Sequence, residues 1–210
     1  VAQTTFVRVS GVASLEGTGE WRIDQGRALQ ISPSSFGPAF LLNRADHTIV
    51  GGIIDLSAGT LFNEGTILSD QTNMVLNRNT GTFIQRGTLR SEQFGSLTIL
   101  GGEGSPVLNK GTIEAFGNGL FIRDANLVNA AGGEIVVGTA LRFNNQMLQL
   151  ENRPGGRISG NGLIDAELNE PVPLVNEGTL APGLPVGTLI LEGPYTQTAT
   201  GVLEINVDVF

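Results

Sequence analysis

Apolar and polar residues of this chain alternate over short segments, and one such segment recurs at a nearly constant spacing. Its pattern is an apolar residue and Asn, a turn that contains Gly, and then an aliphatic residue. The copies are Phe62–Ile67, Ile84–Leu89, Leu108–Ile113, Val128–Ile135, Glu151–Ile158 and Val175–Leu180. The aliphatic residues that end them, at positions 67, 89, 113, 135, 158 and 180, are 22, 24, 22, 23 and 22 residues apart. A period of this length is typical of a protein built from stacked repeats.

A second alternating segment lies about half a period after the first. Its copies are Leu97–Ile99, Leu120–Ile122, Leu141–Phe143 and Leu163–Ile164. Both kinds of segment are too short for helices and are bounded by Gly, Asn, Asp and Pro, so we expect each coil to hold two or three short strands. The sequence therefore predicts an all-β fold, a single-stranded right-handed parallel β-helix (β-solenoid) with coils of about 22 residues.

The repeat continues through most of the chain without a linker, which predicts one domain over residues 1–210. Within it we expect an N-terminal cap or the first coils at 1–36, regular coils at 37–180, and C-terminal coils or a cap at 181–210. About nine coils, each about 4.8 Å from the next, would form a rod on the order of 40 Å long.

The Asn of the recurring segment is predicted to form a ladder at one turn of successive coils, with Gln85 taking its place in one copy. The ladder residues are Asn63, Asn109, Asn129, Asn152 and Asn176. Stacked amide side chains bond to the neighbouring coils or to the local backbone, so the predicted role is structural. The Gly that follows would supply a positive φ or a close approach between backbones.

Charge and composition exclude several classes of protein. The net charge is −8 and the isoelectric point is about 4.6, which argues against nucleic acid or an anionic membrane as a partner. The chain has no Cys and a single His, so neither a thiolate nor a His-rich metal site is expected. No apolar run approaches the roughly 18 residues that cross a membrane, so we expect no membrane insertion. We predict no cofactor.

The C-terminal part of the chain, residues 176–207, resembles a family of secreted proteins. Its characteristic phrases are Gly178–Gly183, Gly187–Leu189, Tyr195–Gln197 and Gly201–Ile205. They are similar to the last coils of bacterial autotransporter-type passengers and related large secreted β-helix proteins, whose members include adhesins, enzymes and proteins of no known activity. The resemblance implies a bacterial, exported protein, extracellular or at the cell surface, and it transfers no catalytic residue.

Few residues are candidates for chemistry. Asp165 and Glu167 lie two apart on a predicted strand, so both carboxylates would share one face at roughly 6 to 7 Å, a spacing that suits acid/base catalysis and equally suits a solvated strand. His47 is interpreted as a loop residue. Gly101–Ser105 lacks the Asp of calcium-binding repeats and the Lys of a phosphate loop, and is interpreted as a turn.

Aromatic residues offer a further alternative. Trp21 and Tyr195 would either stack on sugars or fill the core and cap the ends. The pattern alone does not choose between these roles.

Both ends of the chain alternate like strands, and the two ends of a solenoid leave backbone groups unpaired. They are interpreted either as caps of a monomer or as edges for head-to-tail assembly. The candidate edge residues are Phe6, Val7, Val9, Leu203, Ile205, Val207, Val209 and Phe210.

Two functions follow from these observations. The first is a non-enzymatic extracellular structural or adhesive β-solenoid that assembles head to tail, with further copies of itself, a surface glycan or a protein receptor as partners. The alternative is a carbohydrate-active β-helix enzyme that acts on extracellular polysaccharide.

Overall fold

The computed structural model describes residues 6–35, 37–102, 105–144, 149–166, 171–183 and 186–206. In these residues the chain forms 27 strands and no helix. The strands make three nine-stranded parallel sheets, and consecutive strands belong to different sheets. The chain therefore passes once through each sheet in every coil of about 23 residues. The predicted β-solenoid is confirmed.

We name the sheets A, B and C in the order in which the chain enters them. Sheet A contains β1 (Phe6–Val9), β4 (Ala28–Ile31), β7 (Ile53–Asp55), β10 (Met74–Asn77), β13 (Leu97–Leu100), β16 (Leu120–Arg123), β19 (Ala140–Phe143), β22 (Leu163–Ala166) and β25 (Ile190–Leu191). Sheet B contains β2 (Val12–Leu15), β5 (Phe40–Asn43), β8 (Thr60–Asn63), β11 (Thr82–Gln85), β14 (Val107–Asn109), β17 (Leu127–Asn129), β20 (Leu150–Asn152), β23 (Leu174–Asn176) and β26 (Tyr195–Gln197).

Sheet C contains β3 (Glu20–Arg22), β6 (Thr48–Val50), β9 (Thr66–Ser69), β12 (Thr88–Ser91), β15 (Thr112–Ala115), β18 (Glu134–Val137), β21 (Arg157–Gly160), β24 (Thr179–Pro182) and β27 (Val202–Leu203). In each sheet the strands follow one another in chain order, so every coil lies directly on the coil before it.

The register of sheet C reproduces the repeat read from the sequence. The aliphatic residues that end the recurring segment are successive partners in this sheet: Ile67, Leu89, Ile113, Ile135, Ile158 and Leu180. All of them are buried, because alternate residues of each strand point into the space between the three sheets. Burial of these aliphatic columns drives the stacking of the coils.

The copies of the second recurring segment are partners in sheet A, and the last copy is shifted by one residue relative to the others. Leu97, Leu120 and Leu141 are successive partners, as the sequence predicts. In the next coil Ile164, and not Leu163, is the partner of Leu141. Ile164 is buried while Leu163 is half-buried, because neighbouring residues of a strand face opposite sides of the sheet.

The Gly of the recurring segment is required by the spacing between coils. A Cβ atom at Gly65, Gly87, Gly111 or Gly178 would overlap a backbone carbonyl oxygen of the preceding coil. None of these residues has a positive φ. At these four positions, close approach between backbones is therefore the role that the structure supports, whereas Gly132 and Gly155 in two other copies have a positive φ.

We expect Gly111→Ala to lower the free energy of unfolding by about 1 to 3 kcal/mol, because the added methyl group must displace the Gly87 carbonyl of the preceding coil. The measurement is urea unfolding followed by circular dichroism. Gly11→Ala is the matched control, since no atom lies within 4 Å of a Cβ placed there and its φ is not positive. Equal unfolding midpoints for the two variants would contradict the prediction.

Candidate functional site

The predicted ladder residues all end strands of sheet B, and their side chains are fully buried at the corner between sheets B and C. Except at Asn176, the last of them, the amide nitrogen of each donates a hydrogen bond to the amide oxygen of the Asn or Gln in the next coil, and Asn43 of the coil before Asn63 does the same. The pairs and their distances are Asn43 to Asn63, 2.7 Å; Asn63 to Gln85, 2.8 Å; Asn109 to Asn129, 2.8 Å; Asn129 to Asn152, 2.8 Å; and Asn152 to Asn176, 2.7 Å. The ladder thus links coils through side chains as well as through the backbone.

The second N–H of each ladder amide bonds to a backbone carbonyl in sheet C of the following coil. Asn129, for example, donates to the carbonyl oxygen of Arg157 at 3.0 Å, and Asn152 donates in the same way to that of Thr179 at 3.0 Å. Both amide protons and the amide oxygen are therefore used, which removes the cost of burying a polar group. These neutral, occupied side chains hold the turn and perform no acid/base chemistry.

Gln85 interrupts the ladder. It accepts the bond from Asn63, but its own nitrogen donates to the carbonyl oxygens of Gly87 and Thr112, at 2.8 and 3.2 Å. It makes no side-chain bond to Asn109, although the two residues are in register. The Gln85 amide nitrogen thus bonds to backbone carbonyls and not to the side chain of the next rung. The ladder consists of two sections, Asn43 to Gln85 and Asn109 to Asn176.

His47 caps the first section. It lies in the loop between β5 and β6, as predicted, but it is buried, and its Nδ1 lies 2.9 Å from the Oδ1 of Asn43. Because the amide nitrogen of Asn43 already donates to Asn63, Oδ1 is the acceptor and Nδ1 carries the proton. The recurring pattern does not predict Asn43 or His47 as part of the ladder, because Arg44–His47 replaces the Gly-containing turn.

Tyr195 and Gln197 close the other end of the ladder. The Nδ2 of Asn176 donates to the Tyr195 hydroxyl at 3.3 Å, and that hydroxyl donates to the Gln197 Oε1 at 2.6 Å. Tyr195 lies in the last strand of sheet B, where it contacts the end of the ladder. Of the two roles considered from the sequence, this position fits a cap at the end of the solenoid.

Asp165 forms an ion pair with Arg142. The two residues are partners in sheet A, and the Arg142 Nε lies 3.2 Å from the Asp165 Oδ1. Asp165 is buried, and Glu167 lies outside the described residues. The ion pair joins neighbouring coils of sheet A.

Gly101–Ser105 lies where the chain passes from sheet A to sheet B. The backbone N–H of Ser105 donates to the carbonyl oxygen of Gly102 at 3.3 Å, and residues 103–104 between them lie outside the described part. Trp21 is half-buried in β3, packs against the core and lines a cavity at the N-terminal end of the rod.

The edge residues predicted at the two ends are largely exposed. Phe6, Val7 and Val9 belong to β1, the first strand of sheet A; the first two are exposed and the third is half-buried. Leu203, in the last strand of sheet C, and Ile205 are exposed. Val207, Val209 and Phe210 lie outside the described residues.

Ion pairs connect distant coils along the outer surface. A hydrogen bond from Arg157, at 2.7 Å, lowers the pKa of Glu204, whose side chain is exposed. Burial alone would raise the pKa of Asp70, but the Gln71 N–H and Arg22, at 3.1 Å, hold that pKa below its usual value. Each pair joins an end coil to one nearer the middle of the rod.

Comparison with protein-family models, with curated proteins and with solved structures finds no match to this chain. Within the described residues, no three His, Asp or Glu side chains are grouped so that they could hold a metal ion. The same part of the chain contains no apolar helix of membrane-spanning length.

We expect Asn129→Ala to lower the free energy of unfolding by about 3 kcal/mol, because it leaves buried partners on Asn109, Asn152 and Arg157 without a hydrogen bond. Urea unfolding provides the measurement. The control is Asn118→Ala, which removes an exposed amide that donates to the Phe94 carbonyl oxygen at 2.6 Å. If the two variants lose the same stability, the ladder does not have the role assigned to it.

Proposed function

We propose that this protein is a non-enzymatic structural β-solenoid that extends head to tail by adding a second copy of itself to its open ends. The observation that carries the proposal is the position of its exposed apolar side chains. Eight of the ten large apolar side chains that are exposed in the described residues lie in the first or last coil: Phe6, Val7, Val12, Ile190, Tyr195, Val202, Leu203 and Ile205. Clustered exposed apolar groups mark interaction surfaces.

The two ends match each other in the arrangement of their strands. Strands β1, β2 and β3 are the first edges of the three sheets, and β25, β26 and β27 are the last. Because all pairings are parallel, the last edges of one copy have the direction needed to pair with the first edges of another. Such an interface is heterologous, and it repeats from copy to copy into a filament.

The columns of side chains that face the inside of the solenoid would also continue across the proposed interface. Leu203 and Trp21 occupy the same column of sheet C, at its opposite ends, and Tyr195 and Ala13 do so in sheet B. The N-terminal end holds a cavity of about 400 Å³ lined by Val7, Trp21 and other residues. In a head-to-tail pair, apolar side chains of the last coil would fill this cavity and be removed from water.

An extracellular location, at or near a bacterial surface, is part of the proposal and rests on the resemblance of residues 176–207 to secreted β-helix proteins. There the rod would serve as a structural or adhesive element, with a surface glycan or a protein as receptor. The alternative is a carbohydrate-active β-helix enzyme, whose first catalytic candidate, Asp165, is buried and forms an ion pair with Arg142.

We expect Val7→Glu and Leu203→Glu each to raise the protein concentration needed for assembly at least about ten-fold, since each places an unpaired carboxylate in the interface. Val7 is 52% and Leu203 44% exposed in the single chain, so the monomer should fold. Particle length would be measured by negative-stain electron microscopy, and mass by analytical ultracentrifugation, across a concentration series.

Phe94→Glu is the matched control, because Phe94 is 77% exposed but lies away from both ends. It should assemble like the unmodified chain. If the unmodified chain stays monomeric at every concentration, self-assembly is rejected. If all three variants lose assembly equally, the contact does not involve the ends in the manner proposed.

A further inference from the structure

Arg22 and Glu204 lie at opposite ends of one column of sheet C. Arg22 ends β3, in the first coil, and is the partner of Val50. Glu204 directly follows β27, in the last coil, and its backbone N–H donates to the carbonyl oxygen of Leu180 at 2.8 Å, so it continues the register of that strand. The positions between them in the column are Val50, Leu68, Arg90, Glu114, Val136, Ser159 and Ala181. A second copy stacked in register would therefore place its Arg22 next to Glu204.

Neighbouring coils of the rod already contain ion pairs of this kind. Arg90 and Glu114 are partners in the same column, and the Arg90 Nε lies 3.5 Å from the Glu114 Oε2. Arg142 and Asp165 are partners in sheet A, at 3.2 Å. Opposite charges at equivalent positions of two successive coils thus reach contact distance in this fold.

Both side chains are accessible to a second copy. The Arg22 side chain is 52% exposed and that of Glu204 45%. Arg22 donates through its Nε to Glu20 at 2.9 Å and through its Nη1 to Asp70 at 3.1 Å, which uses two of its five N–H groups. Glu204 accepts two bonds from Arg157, at 2.7 and 3.4 Å, and a carboxylate has about four acceptor sites. A contact between copies can therefore form without breaking these bonds.

The charges of the chain are distributed unevenly between its ends. Residues 158–210 contain seven acidic side chains and no Lys or Arg, whereas residues 1–157 contain 13 acidic and 12 basic side chains. The first coil, residues 6–27, has three acidic residues and three Arg, namely Arg8, Arg22 and Arg27. Two last coils would therefore repel each other more strongly than a last coil and a first coil do. This distribution favours head-to-tail over tail-to-tail contact.

We propose that an ion pair between Glu204 of one copy and Arg22 of the next sets the polarity and the register of head-to-tail assembly. The inference rests on the function proposed above and names the charged residues that select the first coil of a second copy. Arg22 also lines the cavity at the N-terminal end, so the ion pair would form at the edge of the apolar contact. Complementary charges at such an edge give specificity more than affinity.

The residues around Arg22 explain how one ion pair can fix the register. The four positions nearest to it are apolar or acidic: Glu20, Trp21, Ile23 and Asp24. A shift of one residue would place Glu204 beside an apolar side chain, and a shift of two would place it beside a like charge. Only the register that continues the sheets gives the carboxylate a cation.

Reversal of each charge tests the ion pair. Glu204→Arg raises the net charge of −8 by two, to −6, and Arg22→Glu lowers it by two, to −10. If general repulsion between acidic chains governed assembly, the first variant would assemble more readily and the second less readily. The ion pair predicts that both need a concentration at least about five-fold higher than the unmodified chain, because each brings like charges together. Assembly is measured by analytical ultracentrifugation and negative-stain electron microscopy, and folding of the monomers by circular dichroism.

The double variant, Arg22→Glu with Glu204→Arg, should assemble at the concentration of the unmodified chain. It keeps the net charge of −8 and leaves the bonds to Asp70 and Arg157 within the chain broken, so recovery reports a contact between copies. Arg86→Glu is the matched control. It has the same net charge as Arg22→Glu, but Arg86 is exposed in the turn between β11 and β12, away from both ends, so this variant should assemble like the unmodified chain.

The outcomes separate this inference from the function on which it rests. If Glu204→Arg assembles as readily as the unmodified chain, or if the double variant does not recover, the ion pair is overturned. Head-to-tail assembly itself, tested by Val7→Glu and Leu203→Glu, would still hold. If the unmodified chain stays monomeric at every concentration, both the proposed function and the ion pair are rejected.

Discussion

The parallel stacking of one coil on the next is the constraint on which the rest of this structure depends. It sets a fixed distance of about 4.8 Å between equivalent residues, so any residue that recurs once per coil meets its own counterpart. Aliphatic residues then form buried columns, and Asn side chains form a chain of amide hydrogen bonds. The amides couple neighbouring coils strictly, because a shift of one residue would leave several buried polar groups unpaired.

The same constraint limits which residues the turns accept. Gly87 and Gly111 lie where a Cβ atom would overlap the backbone of the preceding coil, so Gly is required there without any unusual φ. The turn after Asn43 lacks this Gly and has a different backbone conformation and hydrogen bond. After Asn43 the chain turns through Asp46, which has a positive φ, and His47 supplies the hydrogen bond that a preceding rung would have given.

Stacking also explains where interactions remain available. Middle coils are covered on both sides, whereas the first and last coils present backbone edges and apolar side chains such as Val7 and Leu203 to solvent. Along the sides, several ion pairs join different coils, such as Arg142 with Asp165 and Arg157 with Glu204.

The sequence alone determined the period, the parallel β-solenoid and the aliphatic columns, because the aliphatic residues that must be buried recur every 22 to 24 residues. It also indicated the Asn positions of the ladder. Tertiary structure decided the alignment of Ile164, and not Leu163, with Leu141, the close approach at Gly111 and the burial of His47. The alignment of Ile164 and the close approach at Gly111 depend on contacts between residues more than 20 positions apart, whose exact register varies with each turn. No local pattern in the chain records that register.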